Sequence, residues 1–282
     1  MTAFSSFTLA LAAAFGWAFF DLARRALAGR LAAWTLVVVL TTGAVPLLVA
    51  WAVIAGDWRL EPAYWPPALA SVALNVAANF CYFRSFQLAP LSVTLPMLAF
   101  TPLFASLLGA ALLGETLGTR GAVGALLVVS GGLALGLRSD GSRFEAGTGL
   151  MLVVAFLWSA TLLLDKRALA FSSAHVHAIT LNAGVALGGL GALAASRRLG
   201  DLRAAAASTR LVLVAIAIGA VALTVQLAAL RDLPLGVIET LKRGVGGLSA
   251  VVCGRWLYAE PLTARKVAAV VLMTLGVALL LL

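Results

Sequence analysis

Charge is what this chain has least of. Only 11% of its 282 residues are Asp, Glu, Lys or Arg, and 20 bases face 11 acids. Soluble domains carry about 25% charged residues, so a single soluble core with solvent-facing helix stripes is excluded. Cysteine is nearly missing as well. Cys81 and Cys253 stand alone inside apolar runs, which excludes a disulfide framework and a cysteine metal site and leaves packing as their expected role. The two histidines, His175 and His177, are two residues apart and would point to opposite sides of a helix, which speaks against a metal or catalytic pair. There is no HExxH, no G-x-S-x-G, no Walker loop and no dinucleotide fingerprint. The sequence therefore offers no enzyme signature, no cofactor and no direct ATP drive.

What is present is long apolar runs. Hydrophobic residues make up 62% of the chain and mean hydropathy is +1.06. The runs are roughly 20 residues long, the length that crosses about 30 Å of hydrocarbon as α-helix. They are rich in Leu, Ala, Val and Gly and lack the period-2 alternation of barrel strands. The expected class is an all-α polytopic membrane protein, placed in the bacterial cytoplasmic (inner) membrane. The first eight residues carry no basic segment of the kind that opens a cleavable signal, so the first run is expected to stay. The net charge of +9 comes from bases lying singly or in pairs between the runs, as loop charges do, and nucleic acid is not an expected partner.

Taking Pro, Gly and charge clusters as breaks gives ten spans, near 4–24, 32–55, 66–87, 92–113, 119–138, 148–165, 176–195, 210–230, 235–256 and 264–282. The most polar connection, RSDGSRFEAGTG at 138–149, divides five from five: a first repeat over 1–138, a linker over 139–147 and a second repeat over 148–282. The two halves resemble each other. FGWAFFDLARRALA sits against AFLWSATLLLDKRALA, matching Trp17 to Trp158 and Arg25 to Lys166; LAPLSV matches DLPLGV, and GETLGTR matches AEPLTAR. A repeat with an odd number of spans must insert its second copy upside down, so the expectation is two inverted five-helix repeats. Such pairs characteristically build secondary transporters with a site where the halves meet.

The W-x7-R/K pattern of spans 1 and 6, the run APLSVTLPMLAFTPLFASLLGAALLGETL at 89–117, and the second-half AEPLT resemble the EamA-type branch of the drug/metabolite transporter superfamily. That resemblance covers essentially the whole chain. It implies a ten-helix carrier working by alternating access, with a central cavity lined mainly by spans 1, 3, 4, 6, 8 and 9.

Span 9 holds the residues that most need a reason. Glu239, Lys242 and Arg243 fall inside VIETLKRGVGGLSAVVCG, where a charge costs about 2.5–3.5 kcal/mol on insertion scales and normally faces a bundle interior. Glu239 stands three and four residues before the bases, so it can meet either on one helix face. One acid cannot neutralise both. The surplus positive charge suits an anionic group, and Gly246 on the same face leaves room for one. The LKRGV run is also similar to the Lys-Arg pair of plastid sugar-phosphate translocators, which implies that Lys242 and Arg243 contact phosphate; span 6 carries no matching basic cluster.

Other candidates are polar or aromatic. Asn75, Asn79 and Tyr82 form a stripe on span 3, read equally as interhelical bonding or as ligand contacts, and Gln226 on span 8 matches Tyr82. Trp17 and Trp158 are repeat-matched and would either wall a cavity or pack helices. Pro96 and Pro102 are expected to kink span 4, with Thr101 available to satisfy a freed carbonyl. Asp21 is read as an interfacial partner of Arg24 and Arg25. The expected function is a secondary transporter for a small organic metabolite, anionic (phosphorylated or carboxylate) or zwitterionic. The alternatives are an exporter of amino acids or drug-like cations and, from another class, an intramembrane enzyme. Expected partners are the small-molecule substrate, a coupling proton or counter-substrate and the lipid bilayer, for a monomer or weak homodimer.

Overall fold

The computed structural model describes residues 3–28, 30–88, 95–116, 118–136, 146–258 and 263–281. Among these are ten α-helices and no strand: α1 (Ala3–Ala28), α2 (Ala33–Ala55), α3 (Trp65–Leu88), α4 (Thr101–Leu113), α5 (Gly118–Gly136), α6 (Ala146–Leu169), α7 (Ala174–Ala195), α8 (Thr209–Leu230), α9 (Leu235–Tyr258) and α10 (Ala264–Leu281). The only extended contact among them is an isolated antiparallel bridge between Leu60 and Ser172. By length and apolar composition, Ser5–Arg24, Ala33–Ala55, Gly149–Leu169, Ala174–Ala195 and Leu199–Leu230 can each cross a membrane, and Met97–Leu113 and Gly118–Ala134 are shorter apolar helices. The helices α3 and α9 are as long as these, but polar and ionic side chains interrupt them. The proposed linker at 139–147 falls largely, and LAPLSV and AEPLT fall mostly, outside the described residues.

Helix ends follow local chemistry. Gly56 adopts φ 66° after α2 and its N–H closes on the Ala52 carbonyl, a left-handed cap that L side chains resist. The Ser173 hydroxyl accepts the Val176 N–H and starts α7, as an N-cap serine does. Span 4 changes helix type along its length. Leu95–Phe100 is 3-10 helix, Pro96 lies within it, and α4 begins at Thr101 with Pro102 in its first turn. Proline is tolerated there because that N–H has no α-helical partner to lose.

The most extensive packing pairs α1 with α8, α3 with α6, α2 with α7, α4 with α9 and α5 with α10, always across the two halves of the chain. Small residues let these helices approach closely. A Cβ on Gly16 would come 2.9 Å from the Ala222 Cβ, and one on Gly276 would come 2.6 Å from the Gly124 carbonyl. Large apolar side chains such as Val53, Ile54, Leu187 and Trp256 point outward, the arrangement suited to a lipid surround.

One end of the bundle is stitched shut. The Lys166 ammonium pairs with Glu115 Oε1 at 2.6 Å and donates to the Leu233 carbonyl at 2.6 Å, while Glu115 Oε2 accepts the Leu235 N–H at 2.9 Å. The Ser6 hydroxyl donates to Asp232 at 2.6 Å, the Glu61 N–H to the Phe171 carbonyl at 2.9 Å, and Arg231 to the Ser172 carbonyl at 2.7 Å. Segments from both halves therefore converge on the face that carries the α2–α3, α6–α7 and α8–α9 connections.

Candidate functional site

The ionic triplet of α9 faces inward, where α1, α4 and α6 meet it. Glu239 is 1% exposed and lies within ion-pair distance of both bases: it pairs with Lys242, and its Oε2 stands 3.4 Å from Arg243 Nε. The spacing of three and four residues that the sequence supplies is what brings all three onto one face. The bases stay slightly open, at 16% and 14% side-chain exposure. One carboxylate against two cations leaves this buried site with a net charge of +1.

The other half supplies walls and a hydroxyl. Arg243 Nε donates to Thr101 Oγ1 at 2.8 Å, and the Thr101 hydroxyl donates to the Leu98 carbonyl at 2.7 Å. The Leu98 carbonyl is available to the threonine because Pro102, four residues on, has no N–H to donate to it. The Lys242 ammonium stands 5.6 Å over the Trp17 ring, and the Arg243 guanidinium 5.9 Å over Trp158. Both distances lie within cation–π range. Tyr82 packs on Trp158 with ring centroids 5.2 Å apart. The buried Trp17 Nε1 has no hydrogen-bond partner among the described residues. Beside Gly246, one turn after Lys242, a Cβ would meet nothing within 4 Å, whereas Gly244 on the opposite side abuts Val277 of α10. Open space thus lies on the charged side of α9, and close packing on the other.

Glu239, Lys242, Arg243, Thr101, Trp17, Trp158 and Tyr82 are therefore gathered into one cluster. Asn75 and Asn79 stand along α3 away from it, the Asn79 amide donating to the Asn75 carbonyl at 2.8 Å. Gln226 is buried on α8, and its Oε1 has no hydrogen-bond partner among the described residues. Asp21 pairs with Arg24, whose guanidinium stacks 4.8 Å over Phe20 and 5.6 Å over Tyr82. Pro96, Pro102 and Gly246 are placed as described above.

Three groups escape the sequence reading. Ser159, one residue past Trp158, donates to the Thr101 carbonyl at 3.1 Å and ties α6 to the clamp. Glu115 and Lys166 form the latch at the stitched end. The third is a buried chain in which the Tyr64 hydroxyl meets His177 Nδ1 at 2.9 Å, His177 Nε2 meets Asp165 Oδ1 at 3.1 Å, and Ser71 donates to the same carboxylate oxygen. Ser71 extends the Asn75–Asn79 stripe back by one turn, the signal that could have found it. Asp165 itself carried no signal of its buried partners in the sequence.

Residues 4–137 match the model of the EamA-like transporter family. A solved structure described as "Crystal structure of protein" is similar over 99% of this chain and 98% of that chain, with a TM-score of 0.80 at 22% identity; at that identity the likeness speaks for the fold alone. No curated protein matches the chain.

Proposed function

We propose that this chain, whose first half matches the EamA-like transporter family, is a membrane transporter of the drug/metabolite type that moves a small organic anion or zwitterion by alternating access. The observation that carries this reading is the single carboxylate between two cations in a transmembrane helix. A buried surplus charge is costly and persists where a partner of opposite sign visits. Arg243 offers a planar fork suited to carboxylate or phosphate, and Lys242 a compact point charge beside it. The free Trp17 N–H is a third donor for the same ligand.

The two halves, 1–138 and 148–282, act as inverted five-helix units with the substrate between them. This division is supported by the pairing of α1 with α8 and of α3 with α6, which exchanges the first and third helices of each unit. Closure by Glu115 and Lys166 at one end makes this arrangement one of the two access states, and their separation admits substrate from that face.

The test is a thermal-shift screen of the purified protein against phosphorylated metabolites, carboxylates, amino acids and organic cations, since a ligand that binds the native state raises apparent stability. Stabilisation by anions or zwitterions, lost when Lys242→Ala is combined with Arg243→Ala, is the expected result. Stabilisation by cations alone would overturn it and make Glu239 the binding charge.

A further inference from the structure

Asp165, in the buried Tyr64–His177–Asp165–Ser71 chain, sits two helical turns along α6 from Trp158. We infer that Asp165 and His177 form a proton-binding site whose occupancy is coupled to the anion clamp. The inference rests on the clamp reading given above.

Protonation follows from the hydrogen-bond directions. Burial, opposed by a hydrogen bond with Thr180 and aided by the nearby Asp165 charge, pushes the Tyr64 hydroxyl up to about 12, so it keeps its hydrogen and can donate to His177 Nδ1. His177 Nε2 then carries the imidazole hydrogen and donates to Asp165 Oδ1, which also accepts from Ser71. In this form the imidazole is neutral and the carboxylate has two donors and no cation. His177, Tyr64 and Ser71 are each 0% exposed, and Asp165 is 5% exposed.

The charges on every neighbouring element are engaged elsewhere. On α6, Lys166 pairs with Glu115 and Arg167 donates to the Leu112 carbonyl. Arg59 donates to the carbonyls of Leu169, Ala170 and Ser172, and Asp57 accepts the Arg59 N–H. Arg231 donates to the Ser172 carbonyl, Glu61 is exposed, and His175 lies against the Trp51 ring. From α3 come only Ser71 and Asn75.

The chain has a place for one further proton, because an imidazole that carries hydrogen on one ring nitrogen can carry it on the other as well. When it arrives, His177 Nδ1–H donates to the Tyr64 oxygen, and the tyrosine hydrogen turns to Thr180, whose hydroxyl donates to the Val176 carbonyl at 3.0 Å and retains a free lone pair. One proton enters and nothing leaves. Two physical connections lead from this site to the clamp. Helix α6 carries Asp165, Trp158 and Ser159 on one rigid element, and Ser159 holds the Thr101 carbonyl. On α3, Ser71, Asn75, Asn79 and Tyr82 form a continuous stripe, with Asn75 donating to Ser71 at 3.5 Å and Asn79 to Asn75. A proton added to the His177–Asp165 pair therefore biases the two helices that wall the clamp, and linkage requires that anion binding bias the proton in return.

The experiment adds sodium sulfate or sodium acetate to the purified full chain in weakly buffered detergent solution and follows a pH indicator. Both anions keep their charge over about pH 6 to 9, the range in which an imidazole titrates. The wild type is expected to exchange a measurable fraction of a proton, up to about one, per bound anion. In Asp165→Asn the anion still stabilises the protein while proton exchange is lost; His177→Gln provides the same comparison should that variant not fold, and Asp165→Glu restores exchange. Anion binding by the wild type with no proton exchanged overturns the inference, as does equal exchange in the wild type and the folded variants. Failure of both anions to stabilise the wild type at any pH is a different result: it removes the clamp reading, and the coupling with it.

Discussion

The Trp-bearing helices α1 and α6 occupy matched places in the two halves and do opposite things with their polar ends. After Trp17, α1 places Asp21 and Arg24 at the rim, where Asp21 keeps 48% side-chain exposure and the arginine stacks on Phe20 and Tyr82. After Trp158, α6 buries Asp165 against His177 and turns Lys166 into the latch with Glu115. The same division holds for α4 and α9: α4 contributes the neutral Thr101, and α9 contributes Glu239, Lys242 and Arg243. A symmetric frame can thus carry an asymmetric site, because helix pairing depends on small residues and apolar surface, while the chemistry depends on a few side chains that the repeat does not constrain.

The sharpest way to break this comparison is to remove the acid of the charged half. Glu239→Ala leaves two cations unpaired in a buried helix, and breaking a buried pair costs about 3–5 kcal/mol. The expected outcome is loss of monodisperse folded protein on size-exclusion chromatography, with partial recovery when Lys242→Ala is added. A wild-type elution profile for the single variant would mean that the two bases are solvated.

The latch comes next. Glu115→Ala deprives the Leu235 N–H and the Lys166 ammonium of an ionised acceptor, and hydrogen bonds to charged groups contribute about 1.5–3 kcal/mol each. A lower Tm and faster labelling of a cysteine introduced at Leu233 are expected. Unchanged labelling would show that the stitched end does not depend on this contact.

The walls of the clamp should respond less. Trp158→Leu keeps an apolar side chain but removes the ring under Arg243, an interaction of about 0.5–2 kcal/mol. Anion affinity should weaken several-fold in a ligand titration, with little change in unliganded stability. An equal loss of both would assign Trp158 to packing alone. The smallest effect belongs to the rim: Asp21→Asn removes an exposed pair, worth below about 1 kcal/mol, and its Tm should stay close to that of the wild type. A large drop there would place Asp21 among the buried groups and erase the contrast with Asp165.

The legible parts of the sequence were those set by local spacing. Apolar run lengths marked the helices, and the i, i+3 and i+4 spacing of Glu239, Lys242 and Arg243 placed all three on one face. Thr101, Trp17, Trp158 and Tyr82 were legible as candidates but not as neighbours. Their meeting depends on which helices pair, and one apolar surface of Ala, Gly and Leu looks much like another. Span 4 was partly legible for a related reason. Proline signals a break in the backbone hydrogen bonding without saying what will use it, and here Pro102 leaves the Leu98 carbonyl to the threonine that receives Arg243.

By itself the sequence determined the all-helical membrane class, the resemblance to the EamA-like transporter family and the surplus positive charge in α9, because hydrophobic length and charge count act residue by residue. Only the tertiary structure decided that Asp165 turns away from Lys166 to meet His177, twelve residues on, and Ser71, ninety-four residues back. Adjacent residues on a helix point about 100° apart, so sequence neighbours need not be partners, and in a membrane bundle a buried polar group finds its partner across helices.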